Sequence, residues 1–318
     1  MRGAGSVPAG SRAPVRITLR QLEHFTAIAR TGSISAAAEE LHVSRTSVTS
    51  ALDALERIRG TVLCRRSKTE GVRLTAAGER FLVEAQHVLD RALSLEATVD
   101  AEGLGGALSI GCFRSLAPTA LPLLWSEFSA RHPGVRISVT TGDRAELVRQ
   151  LGVGALDVVL AYNLHALPDV RTAPLYDTVM YALLPPDHRF AAAGRAPIAE
   201  LADEPLLLMD VAPSVEDTLS FFAHQALTPN VLLSSPDFEL IRSLVARGMG
   251  YSLFIQRPRH DLSYEGLPVA CVPLDPVPHL ERASIAWSID RQLPDPGQAF
   301  VRLAIELAPE IAPRPPVG

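Results

Sequence analysis

The sequence predicts an α/β protein in which a small helical module precedes a larger domain of alternating strands and helices. Residues 33–56, SISAAAEELHVSRTSVTSALDALE, have the pattern of two short helices joined by a tight turn. Three glycines between residues 103 and 106 form a break at which the pattern changes. From Ala107 onward, short apolar runs alternate with helical patterns. A length of 318 residues accommodates about two to three domains.

The second helix of the N-terminal pair carries an apolar stripe with helical spacing. His42 and Val43 interrupt the first helix, and Ser44 is placed to cap the second by accepting N–H groups of its first turn. Three residues then recur on one side of that helix: Val48, Leu52 and Leu55. The stripe predicts a helix that buries one face.

The other face of this helix is polar. At about 100° per residue, four side chains point away from the stripe, with Arg45 and Thr49 on a flank: Thr46, Ser50, Asp53 and Arg57. A short helix with small hydrogen-bonding groups and an arginine on one face suits the major groove of DNA. The alternative interpretation of the same residues is an ordinary surface helix of a larger bundle.

A basic hairpin is predicted after Gly60, in the sequence VLCRRSKTEGVRL with Gly71 near its tip. Four cationic residues surround the tip: Arg65, Arg66, Lys68 and Arg73. Such a hairpin would lie along the sugar-phosphate backbone and supply affinity rather than sequence reading. A solvated charged loop is the alternative.

The charge of the chain is divided between its two ends. The net charge of −5 appears unsuited to DNA binding, but residues 1–80 hold 13 Lys+Arg against 7 Asp+Glu, a net +6. The remainder holds 17 against 28, a net −11. The basic part coincides with the helical module, and the acidic part with the domain that would control it.

Composition also excludes several classes of protein. Cys64, Cys112 and Cys271 are odd in number and far apart, which argues against a disulfide framework and against zinc. Reduced, buried thiols are the favoured interpretation, and a redox sensor built on Cys112 and Cys271 is the alternative. No apolar run reaches the roughly 18 residues of a membrane span. Residues 1–16 lack the apolar segment of a secretory signal, so we expect a flexible extension and a cytoplasmic protein.

The sequence LRQLEHFTAIARTGSISAAAEELHVSRTSVTSALDALE, followed by VLCRRSKTEGVRLTAAGERFL, resembles the winged helix-turn-helix of the LysR-type transcriptional regulators. The pattern is LRQL, then S-x-x-x-A-A-x-x-L-x-x-S-x-x-x-V-[ST], then L-E, a basic wing and R-L-T-x-A-G. The matching positions are Leu19 to Leu22, Ser33, Ala37, Ala38, Leu41, Ser44, Val48, Thr49, Leu55, Glu56 and Arg73 to Gly78. The resemblance extends through nearly the whole chain.

The resemblance implies a sequence-specific DNA-binding transcriptional regulator controlled by a small-molecule effector. The residues predicted to contact DNA are Ser33, Ser44, Arg45, Thr46, Thr49, Ser50, Arg65, Arg66, Lys68 and Arg73. Arg45 and Thr46 stand where the family commonly has glutamine and then proline or alanine. The resemblance therefore carries no DNA sequence preference.

A long helix with an apolar seam is predicted after Thr75, which can cap it. The seam consists of Phe81, Ala85, Val88, Leu89, Ala92 and Leu95. A protruding seam needs a partner, and an antiparallel copy of itself is the economical one. In the LysR-type family this linker helix makes the dimer, and burial by the chain's own C-terminal domain is the alternative.

The alternation after Ala107 argues for parallel, doubly wound sheets. The resemblance implies a type 2 periplasmic-binding-protein-like domain of two lobes, with the chain crossing near Tyr162–Asn163 and again after Leu267–Pro268. The predicted domains are an extension (1–16), the winged helix-turn-helix (17–74), the linker helix (75–102) and the effector domain (103–318). Lobe I would comprise about 107–162 and 271–305, and lobe II about 163–270.

An effector would bind beyond the carboxyl ends of strands, at helix N-termini. Hydroxyl groups and a positive dipole end converge where Arg114–Ser115 follows the first strand. Six residues are predicted to line the pocket: Arg114, Ser115, Thr141, Asn163, Ser214 and Phe238. For each of them taken alone, a helix cap is favoured over a ligand contact. As a group they predict a small organic anion, with a carboxylate as the favoured class.

Two functions remain in competition at this point. The first is a DNA-binding regulator that acts on promoter or operator DNA as a homodimer or homotetramer, with RNA polymerase as a further candidate partner. The second is a solute-binding or enzymatic α/β protein whose N-terminal helices only mediate oligomerisation. The sequence shows no nucleophile motif, phosphate loop, metal spacing or carboxylate pair, so we expect neither catalysis nor a cofactor.

Overall fold

A computed structural model describes residues 15–67, 71–96 and 104–314 of the chain. The chain divides into two compact units, an N-terminal unit of residues 1–97 and a C-terminal unit of residues 98–318. Each unit has its own hydrophobic core. Most of the predicted extension, residues 1–14, lies outside the described residues.

The N-terminal unit contains four helices and a hairpin within its described residues. Their bounds are α1 Leu19–Thr31, α2 Ile34–Glu40, α3 Arg45–Arg59, β1 Cys64–Ser67, β2 Gly71–Leu74 and α4 Ala76–Glu96. Side chains fix the helix starts, because Ser33 Oγ accepts from Ala36 N and Ser44 Oγ accepts from Ser47 N. Between α2 and α3 the chain reverses at His42, which has a positive φ of 53°. The turn predicted at this residue is confirmed.

The core of the N-terminal unit is formed by the apolar faces of α1, α3 and α4. Phe25 on α1 is fully buried and contacts Phe81 on α4, with ring centroids 5.2 Å apart. The stripe predicted for α3 is also buried: Val48, Leu52 and Leu55. The polar face of α3 is therefore left at the surface.

Glu56 and Gly78 hold the hairpin against the helices. Glu56 Oε1 accepts from Leu63 N at 2.7 Å and from Cys64 N at 3.0 Å, which ties α3 to the start of β1. A Cβ atom at Gly78 would lie 2.1 Å from Leu63 O, so only glycine fits where α4 crosses this strand entry.

The C-terminal unit contains alternating helices and strands. Its helices are α5 Ala117–Arg131, α6 Arg144–Val153, α7 Arg189–Ala193, α8 Ile198–Leu201, α9 Ser214–His224, α10 Phe238–Ala246, α11 Asp295–Glu306 and α12 Ala308–Ile311, with a 3-10 turn at Leu164–Ala166. Its strands are β3 Gly106–Phe113, β4 Val135–Gly142, β5 Val158–Tyr162, β6 Val170–Val179, β7 Tyr181–Leu184, β8 Ala196–Pro197, β9 Pro205–Met209, β10 Asn230–Ser235, β11 Ser252–Phe254, β12 Ala270–Asp275 and β13 Leu280–Ser288.

These strands form two lobes. Lobe I has one five-stranded sheet in the order β4-β3-β5-β13-β6, in which β3, β4 and β5 are parallel and β13 is antiparallel to both neighbours. Lobe II has the order β11-β7-β12-β8 and a parallel pair, β9 and β10. A bridge between Leu206 and Tyr251 joins the two parts of lobe II. The parallel sheets that the sequence predicts are present only in part, because β13 is antiparallel in lobe I and β7 pairs antiparallel in lobe II.

The chain crosses between the lobes later than predicted. β6 stays in lobe I through Val179, and β7 enters lobe II at Tyr181, so the first crossing is at Met180 and not at Tyr162–Asn163. β12 ends in lobe II, and β13 begins in lobe I, so the second crossing lies within residues 276–279 rather than after Leu267–Pro268. Both crossings were predicted too early in the chain. The reason is that β6 and β13 are long strands of lobe I that lie immediately next to the crossings.

Gly250, in the family-like segment GMGYSLFIQRP, allows two strands to approach each other. Its φ is +154°, and a Cβ atom there would lie 2.3 Å from Pro205 O. Tyr251 N donates to that same carbonyl at 3.0 Å. The glycine therefore permits β9 to lie beside the entry to β11. In the three described ranges, no helix is both long and apolar enough to cross a bilayer.

The approach at Gly78 gives a stability prediction. Gly78→Ala should destabilise the full-length protein by about 1–3 kcal/mol, because the added methyl group overlaps a backbone carbonyl that cannot rotate away. Gly152→Ala is the matched control, since a Cβ atom there meets nothing within 4 Å. Thermal unfolding should show a lower onset for the first variant only, and equal onsets would contradict the packing described here.

Candidate DNA-binding surface and effector pocket

The polar face of α3 lies at the surface of the N-terminal unit. Arg45, Thr46 and Ser50 are exposed, Thr49 is half-buried, and Ser44 caps the helix. These side chains occupy the first two turns, opposite the buried stripe. The arrangement offers a helix N-terminus, hydroxyl groups and one guanidinium to an incoming base edge or phosphate. Ser33 has a capping role on α2 and is half-buried.

The hairpin places two arginines directly opposite each other. Arg65 on β1 pairs with Arg73 on β2 in the antiparallel register, and both side chains are exposed. Two exposed guanidinium groups on one face of the hairpin can donate to phosphate oxygens. Arg66 lies on β1, but its side chain is outside the described part of the molecule, as is all of Lys68.

The apolar seam predicted on α4 is buried at its first residues and exposed farther along the helix. Phe81 and Ala85 are buried in the core of their own unit, so assigning them to a dimer interface was wrong. Leu89 packs against the edge of that core, Val88 is 48% exposed and Ala92 is half-buried. The Leu95 side chain lies outside the described residues. The part of the seam left for a partner therefore begins at Val88.

A cavity of about 510 Å³ lies between the two lobes of the C-terminal unit. Five of the six predicted residues line it: Arg114, Ser115, Thr141, Ser214 and Phe238. The first three come from lobe I and the last two from lobe II. A ligand in the cavity would therefore contact both lobes.

Asn163 does not line the cavity, which corrects its prediction as an effector contact. Its side-chain amide donates to Glu281 Oε2 and accepts from Arg282 N at 3.1 Å. Because Glu281 is itself a lining residue, Asn163 acts behind the wall by holding this carboxylate in place. Both the nitrogen and the oxygen of the Asn163 side-chain amide are therefore hydrogen-bonded.

The apolar wall of the cavity is reinforced from behind. Phe238 stacks on Phe254 with ring centroids 4.4 Å apart and an angle of 21° between the planes. Further apolar lining comes from Met180, Met209 and Ile255. The prediction that Phe238 forms an apolar wall matches this placement.

Gln256 was missed from the sequence, although it is the most connected polar residue of the lining. It is 1% exposed, and its Oε1 accepts from Tyr162 at 2.7 Å and from Tyr176 at 3.1 Å. Its Nε2 donates to Thr119 Oγ1 at 2.7 Å. It follows a strand of lobe II, whereas its three partners belong to lobe I. Its place after the apolar run YSLFI was the only available signal.

Carboxylates form the second feature that the sequence did not indicate. Asp217, Glu239 and Glu281 line the cavity, and burial raises the pKa of each above its ordinary value. The charge of Asp217 adds to the rise in the pKa of Glu281. His279 Nε2 lies 2.7 Å from Glu281 Oε1, which is an ion-pair distance when the imidazole is protonated. The lining is acidic rather than basic, so it does not favour the predicted organic anion.

Two descriptions of known families match this chain. The description "Bacterial regulatory helix-turn-helix protein, lysR family" matches residues 19–79, and "LysR substrate binding domain" matches residues 101–309. The chain belongs to the LysR family. It is a DNA-binding transcriptional regulator with an effector-binding domain, and the predicted fold class is confirmed.

Relatives agree with this assignment. A probable hydrogen peroxide-inducible genes activator of Mycobacterium avium is 32% identical over 75% of this chain and 78% of that protein. The HTH-type transcriptional regulator CfxR of Cupriavidus necator is 30% identical over 84% of this chain and 86% of that protein. The crystal structure of HinK, a LysR family transcriptional regulator from Pseudomonas aeruginosa, has a TM-score of 0.60 and 35% identity, covering 93% of this chain and 99% of that one.

The cysteines of this LysR family protein do not favour redox sensing. Cys64, Cys112 and Cys271 are all buried. Burial raises the pKa of Cys112, and it raises the pKa of Cys271 to about 12, with nearby Asp261 adding to the rise. A protonated, buried thiol is a poor nucleophile toward oxidants. Cys112 and Cys271 also lie in different lobes.

The exposed start of α3 gives a prediction about DNA reading. Arg45→Ala should cost about 1–3 kcal/mol at a specific operator if Arg45 forms a bidentate contact with guanine. Arg45→Lys is the matched variant, because it keeps the charge and loses the planar fork. Fluorescence anisotropy on specific and random duplexes separates the roles. Equal losses on both duplexes would make Arg45 a phosphate contact instead.

Proposed function

We propose that this LysR family regulator binds promoter DNA as a homodimer or homotetramer and changes its DNA binding when a small molecule occupies the inter-lobe cavity. The observation that carries the proposal is a cavity of about 510 Å³ lined from both lobes, in a chain whose N-terminal unit exposes the polar face of α3. The cavity would bind the controlling small molecule, and the polar face of α3 would bind the DNA.

DNA contact is proposed to use α3 for base reading and the hairpin for phosphate. The exposed polar face at Arg45 and Thr46 supports the first role. The cross-strand pair of exposed arginines, Arg65 and Arg73, supports the second, because guanidinium groups on one face of a hairpin suit contact with phosphates. The net charge of +6 on residues 1–80 favours DNA over a protein partner for this unit.

Oligomerisation is proposed to use the exposed end of α4. Val88 is 48% exposed and Leu93 is 42% exposed, although both are large apolar residues on a long helix. A second copy of the same helix would bury these side chains and place two DNA-binding units in one assembly. Two units on one DNA molecule bind more tightly than either alone.

Effector control is proposed to act through the angle between the lobes. A ligand can shift this equilibrium only by its differential affinity for two arrangements, and about 1–3 kcal/mol is the usual range of such coupling. Contacts to Thr141 in lobe I and to Ser214 and Phe238 in lobe II give the ligand a hold on both sides. The preferred arrangement would then alter DNA affinity.

The setting of this activity is proposed to be the cytoplasm, where promoter DNA and RNA polymerase are available. No catalytic role is proposed, since the LysR family is one of transcriptional regulators. One relative is named as a hydrogen peroxide-inducible genes activator. A peroxide response is not extended to this chain, because Cys112 and Cys271 are buried and hold their protons.

A mobility-shift assay with the DNA upstream of the protein's own gene tests the proposal. We expect a complex that survives excess random DNA and weakens as salt rises, because phosphate contacts release counterions. The variant Arg65→Ala should weaken binding to all duplexes. Equal binding to specific and random DNA would contradict the proposed regulator.

The divided seam on α4 gives a prediction about assembly. Val88→Glu should shift the protein toward monomers, because a carboxylate would be buried without a partner in the interface. Gln86→Glu is the matched control, since it adds the same charge at an exposed position of α4 on the opposite side of the helix. Sedimentation measures both variants. A Val88→Glu protein that keeps the wild-type oligomeric state would move the interface elsewhere.

A further inference from the structure

The charged groups that line the inter-lobe cavity are mostly negative. Arg114 is the single cation among the lining residues, and it is exposed. Four carboxylates share the lining: Asp217, Asp237, Glu239 and Glu281. Asp237 caps α10 by accepting from Glu239 N and Leu240 N, so its charge is committed to the helix. The other three remain for a ligand or for their own neighbours.

The helix starts at the cavity carry hydrogen bonds and charges of their own. At α5, Leu116 N donates to Phe113 O and Thr119 N to Leu116 O, while Pro118 has no N–H. At α9, the first turn carries Glu216 and Asp217, which already complement the helix dipole. The acidic first turn of α9 therefore disfavours an anion at that helix start.

Asp217 and Glu281 form the acidic centre of the wall. Glu281 is 2% exposed, and its Oε1 accepts no hydrogen bond of proper geometry. Asp217 on α9 raises the pKa of Glu281 by its charge, so the two carboxyl groups are electrostatic neighbours. A buried carboxylate oxygen without a well-aligned donor is costly, and a ligand that donates to it relieves that cost.

We propose that the effector of this cavity is a small organic cation, with a protonated amine directed at Asp217 and Glu281 and an apolar body against Phe238. This inference rests on the proposed effector control. The ammonium group would supply Glu281 Oε1 with a well-aligned donor, which the His279 imidazole 2.7 Å away does not provide. Charge-assisted hydrogen bonds of this kind are among the strong ones. The stacked pair Phe238–Phe254 and the two methionines of the lining would enclose the body.

The groups around the acidic centre set the pH dependence. Arg144 and His279 stabilise the ionised form of Asp217, and Glu216 opposes it. Burial and the charge of Asp217 raise the pKa of Glu281, whereas Asn163 and His279 stabilise its ionised form. On the other wall, burial raises the pKa of Glu239, which Arg242 partly offsets.

A cation binds the ionised carboxylates, so its affinity should rise as pH increases through their raised pKa values. An anionic ligand would show the opposite trend. The sign of the pH dependence therefore separates the two classes.

Three probes that differ only in their polar group test the inference on the full-length protein: phenethylamine, phenethyl alcohol and phenylacetate. Calorimetric titration should give the amine about tenfold higher affinity than the alcohol, with phenylacetate weakest. The affinity for the amine should increase with pH. Phenylacetate as the tightest probe, an amine no tighter than the alcohol, or no binding of the amine at millimolar concentration would each overturn the inference.

Two variants locate the site. Asp217→Asn should weaken phenethylamine about tenfold and leave phenethyl alcohol unchanged. Glu216→Gln is the matched control, because it removes a charge from the same turn of α9 at an exposed residue outside the lining. Equal effects of the two variants would overturn the assignment to Asp217.

Operator binding without ligand serves as the independent reference. Wild-type protein and Glu216→Gln should both bind operator DNA in the absence of any probe. If the amine fails and operator binding is intact, the cation is wrong and the regulator stands. If operator binding itself is absent in the wild type, the proposed function is wrong.

Discussion

The hydrogen bonds of the Gln256 side chain are the constraint on which the effector-binding domain depends. This buried amide follows a strand of lobe II and bonds to Tyr162, Tyr176 and Thr119 of lobe I, so every strong polar group of the cluster has a partner. Breaking it would leave several buried polar groups unsatisfied, at about 1–3 kcal/mol each. The two lobes therefore meet at a defined point beside the cavity, and the backbone passes between them at Met180 and within residues 276–279.

Much of the N-terminal unit was predictable because its information is local. The stripe of Val48, Leu52 and Leu55, the cap at Ser44 and the turn at His42 are each readable within a few residues, and the structure contains all of them. The C-terminal unit was predicted as alternating elements, but not its strand directions. β13 pairs with β5 and β6 across more than a hundred residues, and no local pattern records such a pairing.

The cavity shows the same division between local and distant information. The rule that ligands bind at strand ends located Ser115, Thr141 and Ser214, because each follows or opens an element visible in the sequence. Glu281 was missed because it lies on β13, which reaches the cavity only through the second crossing. Asn163 was predicted to contact the effector, but its side chain instead donates to Glu281, which is distant in sequence. No local pattern could have indicated this partner. The acidity of the lining was also not indicated in full, because Glu281 reaches the cavity through this distant contact.

The central claim is that occupation of the cavity and DNA binding are coupled. Thermodynamic linkage requires that a ligand which changes operator affinity is itself bound more or less tightly by the same factor when operator is present. The most direct measurement is therefore a pair of titrations, operator with and without saturating ligand, and ligand with and without saturating operator. The account predicts equal factors in both titrations, in the range of about 5–150-fold. Operator affinity that is unchanged by a saturating cavity ligand would contradict it.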